Sequence, residues 1–267
     1  MNRPVRLGAV SYLNVRPLVY GLDARTDLVT LRFDVPSECA RLLASGGIDL
    51  GMVPSITYAA RPNDRIVPGV CIGSEGPVAS VAIFTRKPIA EVESIALDTS
   101  SRTSAALVRI LCEHKFRIAP RFMPEGPDLP TMLDHADAAL LIGDQALFAD
   151  ASQHGAEKID LGQEWTDLTG LPFVWAFWSG ASGSADDMTV ELLQRAAADG
   201  ATMVDSIAAE YCASRPERVS VARRYLRENL IFDLSPRALA GLEAFYREAA
   251  ALGLIEGAPA IRRFGRK

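Results

Sequence analysis

At 267 residues, with 49% hydrophobic and 23% charged residues, the chain has ordinary globular composition. It is long enough for two lobes of about 100–150 residues and leaves little room for disorder. The formal net charge of −5 excludes a binder driven by neutralising nucleic-acid phosphates, but not an anionic ligand held by local donors. No apolar run approaches the roughly 20 residues that span a bilayer, and Arg3, Arg6 and Arg16 interrupt the N-terminus, so neither a membrane span nor a secretory signal is expected.

The predicted elements begin with a buried strand over 5–12 and a helix start over 13–23, with Asn14 or a neighbour as cap and Pro17 in the first turn. A strand over 28–35 precedes a helix over 36–47, begun by Pro36 and Ser37 and ended by Gly46 and Gly47. A buried strand over 48–55 and a short helix over 56–64 complete a βαβαβ rhythm, which predicts a parallel sheet covered by helices. Two β-rich runs within 65–86 flank the turn Gly73–Pro77, and the second is long enough to cross into another lobe.

The second lobe starts with a strand–helix unit over 94–116. A strand and a Pro-rich loop over 120–130 follow, then a strand-to-helix step over 136–149. Residues 157–180 read as strand, turn and return strand. From Asp186 onward apolar residues recur at helical spacing. The expected layout is α/β: lobe 1 from 1–84 and 179–267, lobe 2 from 85–178. Two strands cross between them near 80–88 and 174–180, and the ligand cleft lies between the lobes near strand C-termini.

Four stretches invite a ligand. In Leu97–Leu111, Ser100, Ser101, Thr103 and Ser104 crowd a helix start, where free N–H groups and the dipole favour anions. One hydroxyl would suffice for a cap. Arg102 either pairs with the same anion or faces solvent. In 73–84, Gly73 and Gly76 permit close backbone approach and Ser80 would face the cleft; a plain β-turn explains them equally. Asp144 opens a helix, and capping is its simpler role. Trp165, Phe173, Trp175, Phe177 and Trp178 could line an apolar pocket, though core packing accounts for most of them.

Other chemistry lacks its signature. His114, His135 and His154 are scattered without metal-ligand spacing, and no P-loop, dinucleotide fingerprint or hydrolase elbow is present. Cys39, Cys71, Cys112 and Cys212 are far apart, which predicts free buried thiols in a reducing cytoplasm. No metal and no cofactor are expected.

The octamer Ser11–Leu18, SYLNVRPL, resembles the N-terminal signature of the chorismate dehydratase family of the futalosine route to menaquinone. The blocks DLGMVPSITYA, GSEGPVASVAIF, LDTSSRTSAALVRIL, LIGDQAL and GLPFVWAFW resemble that family in the same order, across essentially the whole chain. The resemblance implies a type II periplasmic-binding-protein fold used as a cytosolic enzyme. It implies a hydro-lyase that takes chorismate, a small substrate with two carboxylates, to 3-[(1-carboxyvinyl)oxy]benzoate and water. It further implies that the substrate's side-chain carboxylate takes the proton, with Asn14 holding the reacting group and Ser80 orienting the carboxylate. Ser11, Ser100, Ser101, Arg102, Thr103, Ser104 and Asp144 are then candidate substrate contacts, while Arg16 is either another contact or a surface charge. A non-catalytic small-carboxylate binding protein and the sibling 1,4-dihydroxy-6-naphthoate synthase are the alternatives.

Overall fold

The computed structural model describes residues 3–98 and 100–265; the side chain of Ser37 lies outside what is described. In chain order the strands are β1 (Val5–Val10), β2 (Val29–Asp34), β3 (Leu50–Pro54), β4 (Asp64–Ile66), β5 (Ile72–Ser74), β6 (Val81–Thr85), β7 (Ser94–Asp98), β8 (Arg121–Glu125), β9 (Ala138–Ile142), β10 (Glu157–Asp160) and β11 (Phe173–Ala181). They form two sheets. The first runs β2-β1-β3-β11-β4, with β5 also pairing β11, and the second runs β10-β6-β9-β7-β8. In the first, β1 is parallel to β2 and β3, and β11 is antiparallel to β3. In the second, β7 is parallel to β8 and β9, and β6 is antiparallel to β9 and β10. The central strands are apolar on both faces, as parallel strands covered by helices must be.

The helices are α1 (Pro36–Ala44), α2 (Ser55–Tyr58), α3 (Arg102–Leu111), α4 (Leu129–His135), α5 (Gly143–Phe148), α6 (Leu161–Thr169), α7 (Asp187–Thr202), α8 (Val204–Tyr211), α9 (Val219–Arg224) and α10 (Pro236–Ala251). Two differ from expectation. Residues 161–169, read as a turn, are the helix α6. Asp160 caps it by accepting from the N–H groups of Gly162 and Gln163, and Gly170, at φ +68°, ends it. Residues 13–19 are a 3₁₀-helix with no side-chain cap, entered from an extended Tyr12. Pro17 lacks the N–H an α-helix would use and disfavours α geometry at Arg16, so the bonds close over three residues: Val15 N–H to Tyr12 C=O and Tyr20 N–H to Pro17 C=O.

Both strands that the sequence divides, at 84/85 and 178/179, stay whole within one sheet: β6 in the second and β11 in the first. The sheets are therefore joined by the loop 75–80 and by α6 with residues 170–172, not by shared strands. This places Ser80 on the connection itself.

Trp165, Phe173, Phe177, Trp178 and Phe245 are fully buried. Phe173 meets Trp165 and Phe245 edge-on, with ring centroids 5.3 and 4.9 Å apart. Trp165 Nε1–H donates to the Pro172 carbonyl at 3.2 Å, so this polar end is satisfied inside the core. All four cysteines are free and buried, and burial pushes the Cys39 and Cys112 thiols up to about 12. Among the described residues, no helix is long and apolar enough to cross a membrane, and no cluster of three or more His, Cys, Asp and Glu could hold a metal.

At the outer end of β1, Asp49 accepts from the Arg6 N–H at 2.9 Å and from the guanidinium groups of Arg3 and Arg6 at 2.8–3.1 Å. Burial pushes this carboxyl up, but the hydrogen bonds from Arg3 and Arg6 outweigh it and hold it well below the carboxylate range. A depressed carboxylate stabilises the fold above its unfolded value, about 3.9, and loses that contribution as pH falls. Asp49→Asn is therefore expected to lower the urea midpoint at pH 7, with the gap to wild type narrowing below about pH 4. An equal gap at pH 7 and pH 3 would rule the linkage out.

Candidate active site

A cavity of about 70 Å³ lies between the two sheets. Strand ends supply its walls: Val10 from β1, Pro54 from β3 and Ile142 from β9. Met52, Ile72, Val78 and Trp175 make it largely apolar, with the Trp175 indole N–H tied to Ser74 Oγ at 3.1 Å. Its polar side chains are Tyr12, Asn14, Ser80, Ser101, Thr103 and Ser104, and every lining side chain among the described residues is uncharged.

Asn14 stands on the 3₁₀-helix that β1 feeds. Its Oδ1 is buried with no hydrogen-bond partner, which leaves an unsatisfied acceptor on a residue that lines the cavity. Ser80, 1% exposed, shares a 2.8 Å hydrogen bond with the Tyr225 hydroxyl. Burial pushes the Tyr225 phenol well above the ordinary value, and the neighbouring Ser80 and Asn14 side chains offset only part of that. Ser80 and Tyr225 thus form a neutral pair beside Asn14.

The hydroxyl run at α3 divides. Ser101 caps the helix, accepting from Ser104 N–H at 3.2 Å and donating to Ser104 Oγ at 2.8 Å. Thr103 Oγ1 accepts from Ile56 N–H at 3.2 Å, joining α3 to the start of α2 across the two sheets. These three line the cavity at a ten-residue helix's N-terminus. Ser100 is not among the lining residues and binds Asp98 through both N–H and Oγ, at 2.8 and 2.7 Å. Arg102 is exposed and borders a separate surface groove with Arg109 and Leu254. The surplus of hydroxyls is therefore spent mainly on internal bonds.

Ser11 is exposed and outside the cavity; its carbonyl accepts from the Tyr211 hydroxyl at 3.0 Å. Asp144 neither lines the cavity nor caps α5, which has no side-chain cap. Its carboxylate reaches across, accepting from Leu13 N–H at 3.2 Å and from the Tyr211 hydroxyl. Arg16 lies over the rings of Phe33 and Tyr211, 4.5 and 5.3 Å from their centroids.

Sequence reasoning passed over two contributors, Tyr12 and Tyr225. Tyr12 lies against Gly143, where an added Cβ would sit 3.2 Å from three ring carbons. Gly143 also holds φ +61°, so both space and conformation exclude a side chain there. Trp175, one of the five aromatic residues offered for either an apolar pocket or the core, lines the cavity. Tyr225, 145 residues from Ser80, gave no local signal.

Two sheets with a cavity between them at their strand ends define the class, a binding-protein fold. Solved structures agree at the level of fold. Protein AF1704 from Archaeoglobus fulgidus superposes with a TM-score of 0.74 at 17% identity, covering 95% of this chain and 99% of that one. The aliphatic sulphonate binding protein SsuA from Escherichia coli gives 0.68 at 17% identity, covering 100% and 95%. The family described as Menaquinone biosynthesis matches residues 5–251, and the chain belongs to it. A chorismate dehydratase from Thermus thermophilus is 30% identical over 94% of this chain and 96% of its own length, and one from Campylobacter jejuni is 26% identical over 91% and 92%. The protein is accordingly an enzyme of the hydro-lyase class.

Proposed function

We propose that the protein dehydrates chorismate to 3-[(1-carboxyvinyl)oxy]benzoate. The observation that carries this reading is the uncharged cavity, in which the unpartnered Asn14 Oδ1 stands beside the Ser80–Tyr225 pair. The named activity of the two relatives supports it. Loss of water breaks the ring C–H bond beside the enol ether and the neighbouring C–OH bond. The C–H electron pair becomes the last π bond of a benzene ring, and the departing hydroxide takes up the abstracted proton from its acceptor to leave as water. Aromatisation supplies the driving force, so position and charge control are what the protein must add.

A neutral amide has no basic lone pair near pH 7, and the hydroxyls lining the cavity are weak bases. The proton then goes to the enolpyruvyl carboxylate of the substrate, held against the ring. In this reading Asn14 holds the reacting group and Ser80 orients that carboxylate. Ser101, Thr103 and Ser104 receive a carboxylate at the N-terminus of α3, where hydroxyls and the helix dipole replace a cationic side chain.

The assay is direct. Purified protein mixed with chorismate should yield an enolpyruvyl benzoate one water lighter, followed by ultraviolet absorption and mass. Tight binding without turnover would instead make this a carboxylate-binding protein, and turnover of a later pathway intermediate alone would favour the sibling synthase. A cytoplasmic location belongs to this proposal, and the four free thiols fit it.

We propose also that the sheets form the cores of two lobes that close on the substrate, with Asp144 as the tie. Burial, and then the bond to Asp144, push the Tyr211 phenol up, so it remains a donor at physiological pH. Tyr211→Phe removes the charged hydrogen bond to Asp144 and the bond to the Ser11 carbonyl, and leaves the Leu13 bond. It is expected to raise KM roughly tenfold, with kcat unchanged or higher. An unchanged KM in steady-state kinetics would remove the tie from the account.

A further inference from the structure

Ala79 carries φ +61°, one of two non-glycine residues in the left-handed region among those described. Ser80 N–H donates to Val78 C=O across it at 2.7 Å. That is a γ-turn of the rare, strained hand. It directly precedes Ser80, on the loop that joins the sheets.

The surroundings hold the turn from several sides. Asp160 accepts from Val78 N–H at 2.9 Å and from Ala79 N–H at 2.6 Å. Lys158 Nζ donates to the Ala79 carbonyl at 2.8 Å. Upstream, Thr166 Oγ1 accepts from Gly76 N–H and Asn229 Nδ2 donates to Pro77 C=O, both at 2.8 Å. Gly162 lets α6 approach this closely, since a Cβ there would lie 2.7 Å from Gly76 O and 3.0 Å from Val78 N. A helix cap alone needs only the bonds that Asp160 makes to Gly162 and Gln163. Its second oxygen goes to the strained turn.

We propose that Asp160 is a positioning residue for the reaction: with Lys158 it holds the Val78–Ser80 γ-turn in its strained form and so aims Ser80 into the cavity. Strain at such a site persists only where the surroundings over-determine it, and here side chains from β10, α6 and the segment after α9 do so. The proposal rests on the dehydratase reading above.

Two variants test it. Ala79→Gly accepts the left-handed conformation without a Cβ, so its Tm should equal or exceed that of wild type. Asp160 and Lys158 still hold the turn in that variant, so its kcat and KM should stay near wild type. Asp160→Ser keeps a helix cap but gives up the second oxygen, and there kcat should fall on the order of tenfold while KM stays near wild type, because misplacement of a positioning group acts in the transition state. Adding Ala79→Gly to Asp160→Ser removes the strain that Asp160 opposes and should restore part of the lost kcat, a rescue that a merely structural cap would not give. Wild-type kcat in Asp160→Ser overturns the proposal alone. Absence of chorismate turnover and binding by the wild-type protein overturns the dehydratase reading and the proposal with it.

Discussion

Replacing Asn14 with alanine should leave the fold intact and reduce chorismate turnover by at least about 100-fold, the usual cost of losing one preorganised polar group at a reacting centre. The two halves of that expectation have separate causes. Asn14 Oδ1 is buried without a partner, so in the free protein this acceptor costs stability, on the order of 1–3 kcal/mol. Removing it should leave Tm unchanged or slightly higher. In the proposed role the same acceptor finds its partner only on the substrate, and that is the source of the expected loss in kcat. Asn14→Asp makes a sharper version. It keeps the shape but sets a negative charge against a substrate with two carboxylates, and should be as inactive as alanine. Thermal melting beside initial rates separates these outcomes, and near-normal turnover in Asn14→Ala would remove Asn14 from the mechanism.

Asn14 was legible in the sequence because it follows the first strand, and ligands of open α/β sheets gather at strand C-termini. Ser101, Thr103 and Ser104 follow β7 in the same way, whereas Ser80 precedes β6 and was reached through the glycine-rich turn and the family resemblance. What local pattern cannot show is which polar groups are already used. Ser100 reads like Ser101, yet it bonds to Asp98 and leaves the cavity. Asp144 reads as a cap, yet its partners are Leu13 and Tyr211, far away in sequence. Helix α6 was hidden because Gly162 and Gly170 look like turn residues. One is the helix stop and the other is small so that the loop before Ser80 can pack against it. Tyr225 sits in an apolar helical pattern, and nothing nearby marks its hydroxyl as the partner of Ser80. The alternation of strands and helices depends on local periodicity, whereas these pairings depend on the closed fold.

Gly200→Ala should damage stability and activity together, because the position is crowded by backbone. Gly200 lies on α7 where that helix meets the 3₁₀-helix Leu13–Val19, and an added Cβ would stand 2.0 Å from the Pro17 carbonyl oxygen and 2.7 Å from Pro17 C and Cα. No rotamer change relieves such a contact. Either α7 retreats or the 3₁₀-helix moves. Alanine is the better helix former by up to about 1 kcal/mol, while overpacking of this kind costs typically about 1–3 kcal/mol or more. The net effect should be a loss of Tm of roughly 5 °C in a chain of this size. Pro17 is three residues from Asn14 on the same short helix, so a shift of about 1 Å would carry Asn14 with it and could lower kcat by as much as about 100-fold. Asn14→Ala should lower kcat without lowering Tm, whereas Gly200→Ala should lower both. An unchanged Tm would mean that the 3₁₀-helix yields freely, in which case it is not the rigid mount that the proposed role of Asn14 requires.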